Sequence, residues 1–455
     1  MKKIIVSFAL VFIAFSGFAL PSANKTTAPS KRGICYNSFS QQEIDVLEKS
    51  NVSWGYNWYQ SSGSERIGPE QNIEFMPMIW GAGEDFDDMV KRTREYLSEH
   101  KNVRCILGFN EPMMKGQYGG CDLTPKEAAK KWPVLEKIAA DFDVLLAGPA
   151  LTWGFEPLSD GKIYGAPEEW MDEFIRQYKK MNRKREPRFD FLVLHSYMDY
   201  PSAVMWFCST YAARYGKKVM LTEFCAWDQD PNQKPHQSLW EQTVAMSQKV
   251  EAMDSEDCVE SYAWFMSHAA VNEVPFNSVF SERDSDGKLT ELGAVYLNMV
   301  DVSKKNVFSQ GEVIPAFKYA SSSNYNKTVG TKCDDGVRFN TPVGLALATD
   351  NSNQEIFNDI PLELSDFSNK RFASYMLNLT ETRTYKMKLR LLTDNTEIFT
   401  VSSDGTELAK LELSGTNGEW KTVELNVPLE KGTHEILIKS LGNARKVKFY
   451  WFAVD

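Results

Sequence analysis

Histidine is scarce: five in 455 residues, scattered, with no spacing that builds a zinc site. No C-x-x-C pair occurs, which removes zinc-ribbon and thioredoxin-type redox motifs. The seven cysteines are odd in number, so a single chain leaves at least one unpaired. Cys35, Cys105 and Cys225 lie inside apolar strand-like runs and read as buried core thiols rather than ligands. Positive charge is also in deficit, with 51 Lys+Arg against 61 Asp+Glu, a net −10. Such a chain lacks the general attraction for phosphate backbones, which argues against a nucleic-acid partner. Past the N-terminal segment, no run reaches the roughly 18 apolar residues that cross a bilayer. No metal or organic cofactor is expected from this inventory.

Residues 1–23 carry Lys2 and Lys3, an apolar run from Ile4 to Phe15, and small residues at Gly17, Ala19 and Ala23. That is the build of a bacterial-looking signal peptide, and the expected location is secreted or periplasmic. The alternative is an uncleaved membrane anchor. No cysteine stands near the cleavage zone, which argues against a lipid anchor there.

From residue 32 onward, apolar runs recur at 33–37, 52–58, 74–80, 104–110, 144–151, 189–197, 218–227 and 259–266. They are largely continuous, as parallel strands covered on both faces should be. Helical patterns separate most of them, at 85–100, 128–142, 168–181, 203–215 and 238–253. Thr124-Pro125-Lys126-Glu127 combines an N-cap, a first-turn proline and a capping-box glutamate. Gly216 suits a helix C-terminal cap. Residues 59–72 show no helical period. The pattern predicts an α/β fold, a (β/α)8 TIM-like barrel at 31–305 with an incomplete helix ring. A doubly wound open sheet is the runner-up, and it lacks a Gly-rich phosphate loop after its first strand. After residue 306 the runs shorten and several alternate, broken by Asp404-Gly405, 415–418 and Lys431-Gly432. They predict an all-β sandwich, a jelly roll, at 311–455. No long Pro/Ser/Thr linker intervenes, so the two domains are expected to pack directly.

In a TIM-like barrel, chemistry gathers at the C-terminal ends of the strands. Reading those ends brings Glu111 and Glu223 to one rim. Two carboxylates about 5 Å apart can cleave a glycosidic bond with retention, one as nucleophile and the other as acid/base. Trp58, Trp80 and Trp227 at the same rim are candidates to stack on sugar rings, and Asn57 and His195 to hold hydroxyls. Singly, each has a plainer reading as a salt bridge, a core ring or a structural histidine. Their conjunction points to a secreted monomeric enzyme whose partner is a β-linked glycan. The rival is a non-catalytic glycan-binding barrel, which would need neither glutamate.

Gly108-Phe109-Asn110-Glu111-Pro112, Leu194-His195-Ser196-Tyr197, Leu221-Thr222-Glu223-Phe224 and Tyr262-Ala263-Trp264-Phe265 resemble the large barrel clan of retaining glycosidases. Val52 to Trp58, Phe75 to Trp80 and Leu289-Thr290-Glu291-Leu292-Gly293 narrow the resemblance to glycoside hydrolase family 128, related to the fungal alkali-sensitive-linkage cell-wall protein. It covers about residues 31–303. The resemblance implies a retaining endo-β-1,3-glucanase with Glu111 as acid/base and Glu223 as nucleophile. It further implies Asn110 on the sugar 2-hydroxyl, Tyr197 on the nucleophile, and Trp264 as the floor of the cleavage subsite. Xylan, mixed-linkage and β-1,6-branched glucans stay open as substrates.

Residues 370–455 resemble a family 6-type carbohydrate-binding module, through Tyr385 to Arg390, Gly418 to Thr422 and Lys431 to His434. That family often places a sugar-binding Asn before the last strand, where this chain has Val447-Lys448-Phe449. Trp420 is the leading candidate for glycan contact, followed by Tyr325 and Tyr450. The competing reading is a domain that braces the barrel.

Overall fold

A computed structural model describes residues 30–455 apart from 70, 227–237, 270–273, 283–285, 326–330, 333–337, 340–341 and 353–359. The signal-peptide segment and Trp227 lie outside the described residues.

Eight short parallel strands form the first sheet: β1 Arg32–Cys35, β2 Trp54–Tyr56, β3 Glu74–Phe75, β4 Cys105–Ile106, β5 Leu145–Leu151, β6 Phe191–Ser196, β7 Val219–Phe224 and β8 Val259–Trp264. Their spatial order is β3-β2-β1-β8-β7-β6-β5-β4. The two ends of that order meet through a parallel bridge between Met78 and Leu107. There the Leu107 N–H donates to Pro77 O at 2.9 Å and the Ile79 N–H to Leu107 O at 3.0 Å. The sheet thus curls into a TIM-like α/β core, as the continuous apolar runs predict. Cys35, Tyr56, Met76, Met78, Cys105 and Met220 fill its interior.

The helices are α1 Gln41–Leu47, α2 Phe86–Glu99, α3 Pro125–Asp141, α4 Pro167–Met181, α5 Pro201–Tyr215, α6 Leu239–Ser255 and α7 Glu291–Asn298. Among the described residues, no helix separates β2 from β3. At the start of α3 the Glu127 N–H donates to the Thr124 hydroxyl at 3.3 Å, and the Glu127 carboxylate accepts from the Thr124 N–H at 3.1 Å. That pair satisfies two donors which the first helical turn leaves unpaired. Gly216 closes α5 at φ 61°, a conformation costly for any residue with a Cβ.

Unlike the amphipathic α2 and α4, α6 is buried continuously from Gln242 to Asp254. Its inner side covers the barrel and its outer side meets the C-terminal domain. Gln248 donates to Asn324 O at 3.3 Å, and Glu251 accepts from Ser322 at 2.8 Å and from Asn324 at 2.6 Å. Tyr319 also donates to Glu251. The expected direct packing of the two domains is observed.

The C-terminal domain holds two six-stranded sheets. In one, Val447–Val454 lies between Leu362–Ser365 and Arg383–Thr393 and also pairs with Val313–Pro315. In the other, Phe372–Leu379 pairs with Gly432–Ser440, which pairs with Glu397–Ser403. The sheets face each other, with the Tyr375 and Phe452 ring centroids 4.6 Å apart. Alternation explains this core: Tyr385, Met387, Leu389 and Leu391 are all buried on a strand whose intervening residues are more exposed. Asp404 and Gly405 both take positive φ, 49° and 86°, in the tight turn joining Glu397–Ser403 to Thr406–Leu413. Val307–Ser309 also pairs in parallel with Phe372–Leu379.

Candidate active site

The ends of β4 and β7 supply the two glutamates. Beyond β4 the chain is held from both sides: the Asn110 N–H donates to Trp80 O, and the Ala150 N–H to Phe109 O, each at 2.8 Å. Gly108 is required at this point, because a Cβ would sit 2.8 Å from the Trp132 ring and 3.0 Å from Ala147 O. Glu111 then adopts φ 39°, in the left-handed region that a residue with a side chain occupies only under constraint. Between β6 and β7 the register slips at Leu194/His195, so His195 stands opposite Glu223. The slip re-aims the strand end at the place where the two carboxylates meet.

Glu223 is 3% exposed and held by three donors. Tyr56 Oη and Trp58 Nε1 each donate to Oε1 at 2.9 Å, and Tyr197 donates to Oε2. Trp58 reaches it from a left-handed backbone, φ 64°. Glu111 Oε1 lies 2.8 Å from His195 Nδ1, while His195 Nε2 lies 2.8 Å from the Thr222 hydroxyl. His195 Nδ1 is also 3.4 Å from Glu223 Oε2. One polar atom of each of Glu111, His195 and Glu223 lies within 4.8 Å of the other two. A metal ion accepts such a spacing, but O–H and N–H groups already point at the Glu223 oxygens, an arrangement suited to a free carboxylate.

Burial pushes Glu111 above the ordinary carboxylate range; the His195 hydrogen bond and charge pull it part of the way back, and Glu223 pushes it up again. Burial alone would lower the His195 imidazole, yet the charges of Glu223 and Glu111 outweigh it and hold the ring above its usual value. The cluster as a unit therefore retains a proton more tightly than its members would apart.

Both glutamates open on a cleft of about 1080 Å³. Trp58, Trp80, Asn110 and Tyr197 line it. Asn110 donates to Gly119 O at 2.9 Å, while its Oδ1 has no partner among the described residues and is free to accept from a ligand hydroxyl. Three expectations are corrected. Trp264 does not floor the cleft: it is fully buried, donates to Asn277 O at 2.8 Å and packs on Tyr296. Alternation along β8 sends it outward, and Phe265 and Met266 line the cleft instead. Asn57 faces away between Tyr56 and Trp58, donating to Ser61 O at 3.0 Å and accepting from the Tyr59 N–H, so it builds a turn. His195 is fully buried with both ring nitrogens engaged, and it holds carboxylates rather than sugar hydroxyls.

Tyr56 was not singled out by sequence; its only signal was its place at the end of the 52–58 run, two residues before Trp58. Trp153, Phe155, Tyr118 and Tyr200 add an exposed aromatic flank to the cleft. Trp153 is read from the sequence as a strand-end residue after β5; Phe155, Tyr118 on the 3-10 turn Gly116–Tyr118, and Tyr200 capping α5 carry no periodic signal. In the C-terminal domain Tyr450 is fully buried, and Tyr325 is buried and donates to Glu256. Trp420 is half-buried, its ring 5.9 Å from that of Tyr450.

Residues 33–296 match the family model described as the glycosyl hydrolase catalytic core. The chain belongs to that family. Among solved structures it is similar to a GH128 (subgroup II) endo-beta-1,3-glucanase from Pseudomonas viridiflava, at 32% identity and TM-score 0.49, over 58% of this chain and 96% of that one. A subgroup II endo-beta-1,3-glucanase from Sorangium cellulosum shows 27% identity and TM-score 0.47, with 58% and 96% covered. A subgroup I enzyme from Amycolatopsis mediterranei, in complex with laminaritriose, shows 22% and 0.45, with 59% and 98% covered. No curated protein matches the chain. Among the described residues, no helix of this glycosyl hydrolase is long and apolar enough to cross a membrane.

Proposed function

We propose that the protein is a secreted endo-β-1,3-glucanase that cleaves with retention of anomeric configuration. One observation carries the mechanistic part: Glu111 and Glu223 bring carboxylate oxygens within 4.8 Å of each other in a shared cleft. That spacing suits double displacement and is too short to hold the water that an inverting enzyme places between its carboxyls. Glu223, fixed by Tyr56, Trp58 and Tyr197, attacks the anomeric carbon. Glu111 gives its proton to the departing glycosidic oxygen, and the C–O bond breaks as the glycosyl–Glu223 ester forms. Glu111, now ionised, takes a proton from water, which displaces Glu223 and frees the sugar. A raised Glu111 pKa supports the acid role in the first step.

The substrate class rests on the sequence resemblance to glycoside hydrolase family 128. The 32% identical Pseudomonas viridiflava protein is named for that activity. The open cleft with its aromatic flank supports cutting within a chain rather than at its end. A panel of laminarin, curdlan, xylan, galactan and mixed-linkage glucan, with products sized over time, tests this reading. Early release of mixed β-1,3-linked oligosaccharides is expected, with the β-anomer formed first by NMR. Glu111→Gln and Glu223→Ala should each lower the rate by about 10²–10⁴-fold with the fold intact. Activity on xylan or galactan alone, or full activity in either variant, overturns it.

A further inference from the structure

α6 carries a fully buried lysine that none of the chemistry above uses. Lys249 Nζ donates to Met198 O at 2.7 Å and to Cys225 O at 3.1 Å. Met198 follows Tyr197, which donates to Glu223, and Cys225 lies two residues past Glu223 itself. The parallel ladder between β6 and β7 gives out at this level: its last rung, the Cys225 N–H on Ser196 O, is 3.4 Å long. Beyond that rung, the ammonium is the clip between the two strand ends. It faces Asp199, which lines the cleft, and the Cys225 thiol, and burial draws its pKa down to about 8. A buried ammonium carries a large desolvation cost that a methionine of similar length would not. The hydrogen bonds of Lys249 to Met198 O and Cys225 O and the charge of Asp199 offset part of that cost. α6 is itself held from behind, through Glu251 and the three side chains that donate to it.

We propose that Lys249 is a positioning residue, which sets the spacing of the β6 and β7 ends and thereby the alignment of Tyr197 with Glu223. The proposal rests on Glu223 being the nucleophile, and the test separates the two ideas. Full-length protein is treated with 2,4-dinitrophenyl 2-deoxy-2-fluoro-β-laminaribioside, whose leaving group needs no proton, and the covalent adduct is timed by mass. No adduct in the unaltered protein would refute the nucleophile itself. With an adduct there, folded Lys249→Met should form it about tenfold or more slowly, since small misplacements of reacting groups are costly. KM for laminari-oligosaccharides should hardly change, and Lys249→Arg should recover part of the rate. Adduct formation at the unaltered rate in Lys249→Met, or a loss confined to KM, overturns the proposal. Should that variant not fold, Lys249→Gln takes its place: its shorter, uncharged amide cannot span both carbonyls, so the adduct should again form more slowly with KM little changed. Adduct formation at the unaltered rate in Lys249→Gln overturns the proposal equally.

Discussion

Glu111, His195 and Glu223 share one buried volume at the head of the barrel, and the sign of each coupling sets what their removal should do. His195 lowers the Glu111 pKa through its hydrogen bond and its charge, while burial and Glu223 raise it. Replacing the histidine leaves only the raising influences. In His195→Asn the alkaline limb of the kcat/KM profile should therefore move to higher pH, although the rate itself falls as Glu111 loses its orienting partner. A limb that moves down would contradict the coupling. Trp264 teaches the opposite lesson at this scale. It belongs to a recognisable motif at the correct strand end, yet its position in the pleat turns it outward, and one residue of parity decides whether an aromatic meets sugar or α7.

Strand and helix identities were legible because continuous apolar runs and capping signals are local statements about burial and unpaired amides. All eight barrel strands appear, and the α3 box closes as Thr124 and Glu127 predict. The ends of the runs were not legible. The run at 104–110 supports only the short ladder Cys105–Ile106 because the chain diverges toward the left-handed Glu111, and β2 stops at Tyr56 before the left-handed Trp58. Local pattern and global fold thus part company where the chemistry sits. Two substitutions separate these kinds of position. Gly108→Ala forces a Cβ against Trp132 and Ala147 O, and should cost about 1–3 kcal/mol in urea unfolding and lower kcat, because Glu111 is displaced. Thr124→Ala removes only a cap, and should cost about 1 kcal/mol with kcat unchanged. Equal effects on kcat would refute the distinction.

Across the whole molecule, the contact of barrel and sheets centres on a carboxylate that prefers its proton. Burial raises Glu251 to about 7, and three hydrogen bonds only partly offset this. A folded pKa above the unfolded value of about 4.5 gives stability that is complete at low pH and is lost as pH rises through 7. The shift corresponds to on the order of 3 kcal/mol. Glu251→Gln should flatten the fall in Tm between pH 5 and 8, leaving the smaller slope expected of buried Asp254, which burial raises to about 6. A slope identical to that of the unaltered protein would remove Glu251 from the account. This interface, which takes up Tyr325, and the burial of Tyr450 among the C-terminal strands favour bracing over glycan capture for the C-terminal domain. Trp420→Ala placed in full-length Glu111→Gln should then still pellet with curdlan; loss of pelleting would restore Trp420 as a binding residue.

Strand Val447–Val454 comes after every strand it pairs with: Val313–Pro315, Leu362–Ser365 and Arg383–Thr393. During synthesis at about 5–20 residues per second, the barrel residues emerge long before this strand exists. Until it arrives, one sheet of the brace is missing its central member, and Gly344–Leu347, the part of that sheet which lies against α6, is not yet tied in. The nascent enzyme thus passes through a stage in which the outer side of α6, with Gln248 and Glu251, is incompletely covered and open to chaperones and proteases. A frameshift or early stop ahead of residue 447 would be felt at the barrel as failed maturation, although every residue of the catalytic cleft had already been made.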